Sequence, residues 1–560
     1  MEPLKWWQKT AVYQIYPRSF QDTTGSGEGD IQGITQHLDY LAKLGVGAVW
    51  LTPIYPSPMV DNGYDISDYT SIDPRYGTMA DMEALIAEGK KRHIRIVMDL
   101  VYNHTSDQHA WFRESKASRT NAKADWYIWR DAKEDGSAPT NWRSIFGGPA
   151  WTWCEERQQY YLHTFAKEQP DLNWENPDVR RALYDAANFW INKGVGGFRI
   201  DAIVYIKKPA VFADGPADGA DGLVSIHEMT ANTPGILDYL HELRRQVFDG
   251  HDIFTVAEAN GVTPADLPHW VGQDGAFSML FEFSHVNLEF PEGEIWCRTY
   301  DWPLTKLKRA LTDSQKATAE NGWYPIFFEN HDQIRSVSRY FPAGTDRKKA
   351  AKAMATVLFT LRGTPFVYEG EELGLANTAF PSLDDYNDIS THGQYQIALD
   401  EGYLPAEALR IVQAHSRDNA RTPMQWSTAP QAGFTDGTPW LPVHGDYADW
   451  CVETEEKDPD SVLRYYRQLE KLRFQSDASP ILLAGRYDEL LAEDEEIYAF
   501  KRTLDGQATI TLVNFTNKNV DYAAYLTQGA AVLLGNYDDP QPGRLRPAEA
   551  VVYRIGGESC

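Results

Sequence analysis

Cysteine is scarce in this 560-residue chain. The four cysteines, Cys154, Cys297, Cys451 and Cys560, stand far apart and form no Cys-x-x-Cys pair. That argues against a zinc site and against a disulfide scaffold, and it fits a reducing compartment. Positive charge is also short, with 53 Lys and Arg against 80 Asp and Glu, a net of −27. Such a chain is repelled by phosphate backbones and anionic lipid heads, which argues against a nucleic-acid partner and a polybasic membrane anchor. A local pocket can defy the global charge, so phosphorylated small molecules stay open. Long apolar runs are missing: nothing approaches the roughly 18 residues of a membrane span. The opening MEPLKWWQKT has no apolar core or cleavage pattern of a secretory leader. The expectation is a cytoplasmic protein. The excess is aromatic: 18 Trp, 30 Tyr and 23 Phe. Flat rings cover the C–H faces of sugars and also fill large cores, so the count alone leaves both readings open.

Short apolar runs alternate with helical patterns. Strands are expected at 11–20, 45–53, 94–104, 194–201, 253–259, 277–283, 324–332 and 364–374. Such β-branched runs bounded by glycine suit strands buried on both faces. Eight of them with helices between predict a (β/α)8 barrel rather than a doubly wound sheet. The gap between strands three and four holds about 90 residues rich in Trp, Arg, Asn, Gly and Pro. It predicts an insert over 105–173 inside a barrel formed by 1–104 and 174–477. Residues 375–460 read as irregular capping loops, VLRYYRQLEKLRFQ as a last helix, and 478–560 as an antiparallel β-sandwich.

In a barrel, chemistry sits at the C-terminal ends of the strands. The polar residues there are Asp61, Tyr64 and Asp65 after strand two, and Asp99, Asn103 and His104 at strand three. Strand four ends at Arg199 and Asp201, strand five at Glu258, and strand seven at Glu329, Asn330, His331 and Asp332. A single Asp after a strand is often only a helix cap. Three carboxylates converging on one rim, Asp201, Glu258 and Asp332, are costly to bury unless paired or used. Paired carboxylates without a metal or cofactor motif suggest glycoside chemistry, in which one attacks the anomeric carbon and another protonates the leaving oxygen. Arg199 shares a strand face with Asp201, because side chains alternate with period two. A guanidinium there favours an ionised nucleophile.

The segments DLVYNH (99–104), GFRID (197–201), TVAEANG (255–261) and ENHD (329–332) resemble, in order and spacing, the α-amylase superfamily, glycoside hydrolase family 13. QPDLNW (169–174), DNGYDISDY (61–69) and SRDNARTPMQW (416–426) resemble its oligo-1,6-glucosidase subgroup. The resemblance implies Asp201 as nucleophile, Glu258 as general acid/base and Asp332 as the third carboxylate. It implies His104, His331 and Arg199 as donors around the first glucose, and Tyr64 as the aromatic platform beneath it. Asp61 with Arg421, or with its rival Arg417, would grip the non-reducing end and close an exo pocket, with the insert as one wall. Trp111, Trp151 and Trp153 are candidates for that wall.

The loop QDTTGSGEGD (21–30) departs from calcium-binding relatives: Thr24 and Ser26 replace two ligands, leaving Asp22, Glu28 and Asp30 in a weakened site. The expectation is that no cofactor is required, with calcium possible at this weakened site. Linkage is pulled two ways, since Ala202 after the nucleophile resembles α-1,4 enzymes and the subgroup motifs resemble α-1,6 enzymes. Trehalose-6-phosphate hydrolases carry lysines after strand six, where 281–296 has no Lys or Arg; Lys207 and Lys208 are common across the subgroup. Sucrose isomerases carry an arginine-rich loop before strand seven, where the basic residues of 298–316 fall at helical spacing and read as a solvated face. The reading is a retaining exo-α-glucosidase acting on short α-glucosides. A phosphotrehalose hydrolase, an isomerase or transglucosylase, and a binding subunit without catalysis are the alternatives.

Overall fold

The computed structural model describes residues 3–290 and 295–556; Cys560 and positions 291–294 of the Lys- and Arg-free stretch lie outside the described residues. All eight expected strands form one parallel sheet. They are β1 (Val12–Ile15), β2 (Ala48–Leu51), β3 (Arg95–Val101), β4 (Gly197–Asp201), β5 (Phe254–Glu258), β6 (Met279–Phe281), β7 (Pro325–Ile326) and β8 (Thr364–Tyr368). Their order is β6-β5-β4-β3-β2-β1-β8-β7. Pairing of β8 with β1, Val12 opposite Phe366, rolls the sheet into a barrel. Among the described residues β6 and β7 share no ladder. Side chains stitch that seam: Tyr324 donates to Glu282 Oε1 at 2.7 Å, and His285 Nε2 lies 2.7 Å from the Phe327 carbonyl. The strands are buried on both faces, as their unbroken apolar runs require. Alternate residues such as Val12, Trp50, Val256 and Phe366 fill the barrel interior, and Tyr13, Val49 and Ile96 pack outward under the helices.

Several boundaries differ from expectation. The first strand stops at Ile15 because Pro17 opens a helical turn, Pro17–Phe20. Helices Ile31–Gln36 and Leu38–Leu44 meet at His37, whose ring stacks on Trp426 at 3.5 Å. Residues 375–460 are not merely loops: they contain helices Ile389–Asp400, capped by Asp388, and Pro405–His415, opened by its proline.

The insert carries a three-stranded antiparallel sheet, Trp129–Arg130, Gln159–Leu162 and Trp151–Cys154. It is not closed on itself. Trp142–Arg143 pairs with Val224–Ser225 from the loop after β4, and Ile128, Trp142, Trp151, Leu162, Val224 and Ile226 form one shared core. At the C-terminus, β9 (Arg486–Leu490), β10 (Ile497–Leu504), β11 (Gln507–Asn514), β12 (Ala531–Gly535) and β13 (Ala550–Ile555) make an antiparallel sheet. One face packs on a short ribbon, Val520–Asp521 with Arg544–Leu545; the other lays Tyr498, Phe500 and Val513 onto the barrel core.

Candidate active site

Arg199 is the hub of the rim. It and Asp201 share a face of β4, and the register sets Asp99 of β3 directly beside it. Arg199 Nη1 lies 3.0 Å from Asp99 Oδ1 and 2.6 Å from Asp201 Oδ1, and Nη2 pairs with Glu258 Oε2 at the end of β5. Ala202 sits at φ 44°, in the left-handed region, and its N–H donates to Glu258 Oε2 at 3.2 Å. Three carboxyls thus share one guanidinium. Burial pushes the Asp201 carboxyl up, Arg199 pulls it back, and Glu258 and Asp99 push further. Burial likewise raises Asp99 to about 6 against Arg199. Burial and the neighbouring carboxyls thus work against the charge of Asp201 and Asp99, and Arg199 works for it.

Asp332, after β7, has the opposite surroundings. Its Oδ1 accepts Arg421 Nη2 at 2.7 Å and Arg417 Nη1 at 3.1 Å, and Oδ2 lies 3.0 Å from His331 Nε2. Burial works against its charge, yet His331 and the two arginines hold its carboxyl well below the usual range. Gln14 Nε2 donates to His331 Nδ1 at 2.8 Å, so the hydrogen of the neutral ring sits on Nε2 and faces Asp332 and the Tyr64 hydroxyl, 2.5 Å away. Burial keeps His331 neutral, down at about 3, and His104 at about 4. The Tyr64 ring stacks parallel to His331 with centroids 5.2 Å apart.

The arginine that reaches Asp61 is Arg417, not Arg421. Arg417 Nη2 lies 3.2 Å from Asp61 Oδ1, whereas Arg421 is wholly buried behind the wall, with Nε donating to the His331 carbonyl at 2.8 Å. Burial pushes Asp61 up to about 6, opposed by both arginines. These groups meet in one cavity of about 590 Å³ lined by Asp61, Tyr64, His104, Asp201, Glu258 and Asp332. Arg199, His331 and Arg421 stand behind it and set its field. The insert contributes Arg143–Phe146 and Phe165 to the wall. The three expected tryptophans lie elsewhere: Trp111 packs on Trp126, Trp151 is in the insert core, and Trp153 stacks edge-on against Tyr160.

Asp22 and Asp30 do not form an open oxygen cage. Asp22 accepts from the N–H groups of Thr24, Gly25 and Gly27 and from the Thr435 hydroxyl; Asp30 accepts from Gly33, Thr23 N and Thr23 Oγ1. Glu28 is taken by Arg18. Among the described residues no three His, Cys, Asp or Glu groups converge on a metal position. Lys208 is buried with its ammonium 2.6 Å from Asp171, and Lys207 lies over the Tyr239 ring. The basic stretch 298–316 is not simply a solvated face: Lys308 of helix Leu304–Ala317 is buried, its ammonium donating to the carbonyls of Asp494 and Ile497.

Four supporting residues were given no role in the sequence reading: Asp99, Gln14, Gln169 and Asp388. Asp99, at the head of DLVYNH, and Gln169, at the head of QPDLNW, carried a signal; Gln14 and Asp388 carried none. The Gln169 amide donates to Asp61 Oδ2 at 3.0 Å, and Asp171 and Trp174 of the same QPDLNW segment bind Asn103 and the Tyr102 carbonyl at the end of β3. That motif therefore pins the insert to the rim.

Residues 14–481 match the alpha-amylase catalytic-domain family. The chain is 45 % identical over 562 residues to an oligo-1,6-glucosidase of Parageobacillus thermoglucosidasius, covering 98 % of this chain and 99 % of that one. Among solved structures, a variant of the Bacillus licheniformis trehalose-6-phosphate hydrolase superposes with a TM-score of 0.91 at 42 % identity, covering 98 % and 100 % of the two chains. The isomaltulose synthase of Erwinia rhapontici gives 0.93 at 39 % identity, covering 99 % and 100 %. The chain belongs to the alpha-amylase family, glycoside hydrolase family 13, and is a glycoside hydrolase.

Proposed function

We propose that the protein is a retaining exo-α-glucosidase, releasing glucose from the non-reducing end of short α-glucosides of isomaltose or maltose type. The observation that carries this is Arg199 holding Asp201 and Glu258 together on one guanidinium, as a double displacement needs two nearby carboxyls roughly 5–5.5 Å apart. Asp201 attacks C1 while Glu258 gives its proton to the leaving oxygen. The ester on Asp201 is then broken by water, whose proton returns to Glu258. Glu258 is the more exposed of the pair, its side chain 22 % against 10 % for Asp201, which suits the leaving-group side. Asp332, held ionised, binds sugar hydroxyls, and the Asp61–Arg417 pair closes the pocket end, which favours exo action.

The reading favours neutral substrates. The arginines lining the pocket are already matched: Arg143 to Asp218 and Asp221, Arg339 to Glu289, and Arg417 to Asp61, Asp332 and Asp388. No step runs through a metal or cofactor. The acidic net charge supports a small-molecule partner rather than nucleic acid, and no described helix is long and apolar enough to cross a membrane. The free cysteines Cys154, Cys297 and Cys451 support a cytoplasmic setting. A substrate panel of isomaltose, maltose, sucrose, trehalose and trehalose-6-phosphate tests the reading. Free glucose from isomaltose or maltose is expected. Cleavage confined to the phosphorylated sugar, or transfer products dominating from sucrose, would replace it with one of the two alternatives.

A further inference from the structure

Arg417 occupies a demanding position, and Asp388 lies behind it. Arg417 spans Asp61 at 3.2 Å and Asp332 at 3.1 Å, so its placement sets the closed end of the pocket. A long side chain between two carboxylates has many rotamers and must be held from behind to keep one. Asp388 does this. It is wholly buried and its Oδ1 accepts Arg417 Nε at 2.8 Å and Nη2 at 2.6 Å. Asp388 is fixed in turn. Its carboxylate accepts the N–H groups of Ser390 and Thr391, each at 3.1 Å, and the Thr391 hydroxyl at 2.8 Å. Its own N–H donates to Asp418 Oδ2 at 3.0 Å. Ser390, Gln394 and Ile397 of the helix it caps line the same pocket, so one carboxylate ties the outer wall to the closed end.

We infer that Asp388 is a positioning residue which never touches substrate but holds Arg417 between Asp61 and Asp332, and so sets the affinity of the glucose-binding end. The inference rests on the α-glucosidase reading. Around Asp61 the charged and polar neighbours are Arg417, Arg421, Asp332, Asp65 and Gln169, with His104 bonded to Gln169; around Asp388 they are Arg417, Arg421, Thr391 and Asp418.

The test is Asp388→Asn, with kcat and KM for p-nitrophenyl α-glucoside measured across pH. A freed Arg417 predicts about a 100-fold fall in kcat/KM, carried mainly by KM. It also predicts that the acid limb of kcat/KM moves up by about one pH unit, since Asp61 loses its nearest cation. Simple loss of a negative charge with Arg417 still in place would move that limb down. An unchanged KM, or a limb that stays or moves down, overturns the inference. If circular dichroism shows the Asn variant unfolded, Asp388→Glu carries the test, keeping the charge but displacing it by one methylene. A raised KM with a smaller upward shift is then expected, and wild-type values for both overturn it. A wild-type protein that cleaves no α-glucoside overturns the functional reading and this inference with it. An active wild type with an indifferent variant overturns the inference alone.

Discussion

Two sets of buried arginines divide the molecule. At the rim, Arg199, Arg417 and Arg421 face carboxylates around a cavity. Between the barrel and the C-terminal sheet, Arg473 and Arg502 are equally buried, yet no carboxylate faces either among the described residues. They collect backbone carbonyls instead. Arg473 Nη1 donates to Phe359 and Leu361, at 2.6 and 2.8 Å, and Arg502 Nη1 to Thr360 at 2.8 Å and Nε to Gly485 at 3.0 Å. The Phe359, Thr360 and Leu361 oxygens are the open end of helix Arg347–Thr360, where carbonyls lack partners and the helix dipole is negative, and Gly485 follows helix Ser479–Ala484. Burial draws Arg473 down to about 9 without a carboxylate to oppose it. The contrast teaches how to tell the two uses of a buried cation. Set against helix-end carbonyls it fixes one element on another; set against carboxylates at a cavity it tunes chemistry.

Breaking each side separately should give opposite phenotypes. Asp201→Asn should lower kcat by about 10⁴-fold or more while the melting temperature holds, because only the reacting group is lost. Paired kinetics and calorimetry check this, and a large loss of stability would contradict it. Arg502→Met should do the reverse. It orphans the Thr360 and Gly485 carbonyls and should cost about 3 kcal/mol in urea unfolding, with activity per folded molecule unchanged. Asp61→Asn should lower kcat/KM for disaccharides by about 100-fold, with little change in stability. The smallest effect is expected at Glu470, on the same helix as Arg473. Burial pushes its carboxyl up to about 7. Its contribution to stability is fully present below the unfolded-state value near 4.3 and lost as pH rises through about 7. Glu470→Gln should match the wild type near pH 4 and exceed it by about 1 kcal/mol at pH 8, read from urea midpoints.

The barrel was legible because buried parallel strands write unbroken apolar runs. The convergence of Asp201, Glu258 and Asp332 on one cavity was legible because all three stand at strand ends on the same rim. What escaped depends on distant contacts. The choice between Arg417 and Arg421 turns on which guanidinium passes Asp332 to reach Asp61, and both lie in one motif, four residues apart. Asp388 falls in a stretch whose apolar residues spread around the helix rather than along a stripe, so neither the helix nor its cap stood out. Lys308 read as a surface residue because a helical period cannot show that the C-terminal sheet covers that face. The pairing of Trp142 with Val224 joins segments some 80 residues apart, beyond the reach of local periodicity.

The central claim is that Asp201 and Glu258, gathered by Arg199, perform two successive inversions at one carbon. Proton NMR of the glucose first released from an α-glucoside tests it directly, before mutarotation blurs the anomers. The account predicts α-glucose as the initial product. β-Glucose appearing first would mean a single displacement by water, and the ester on Asp201 would have to be abandoned.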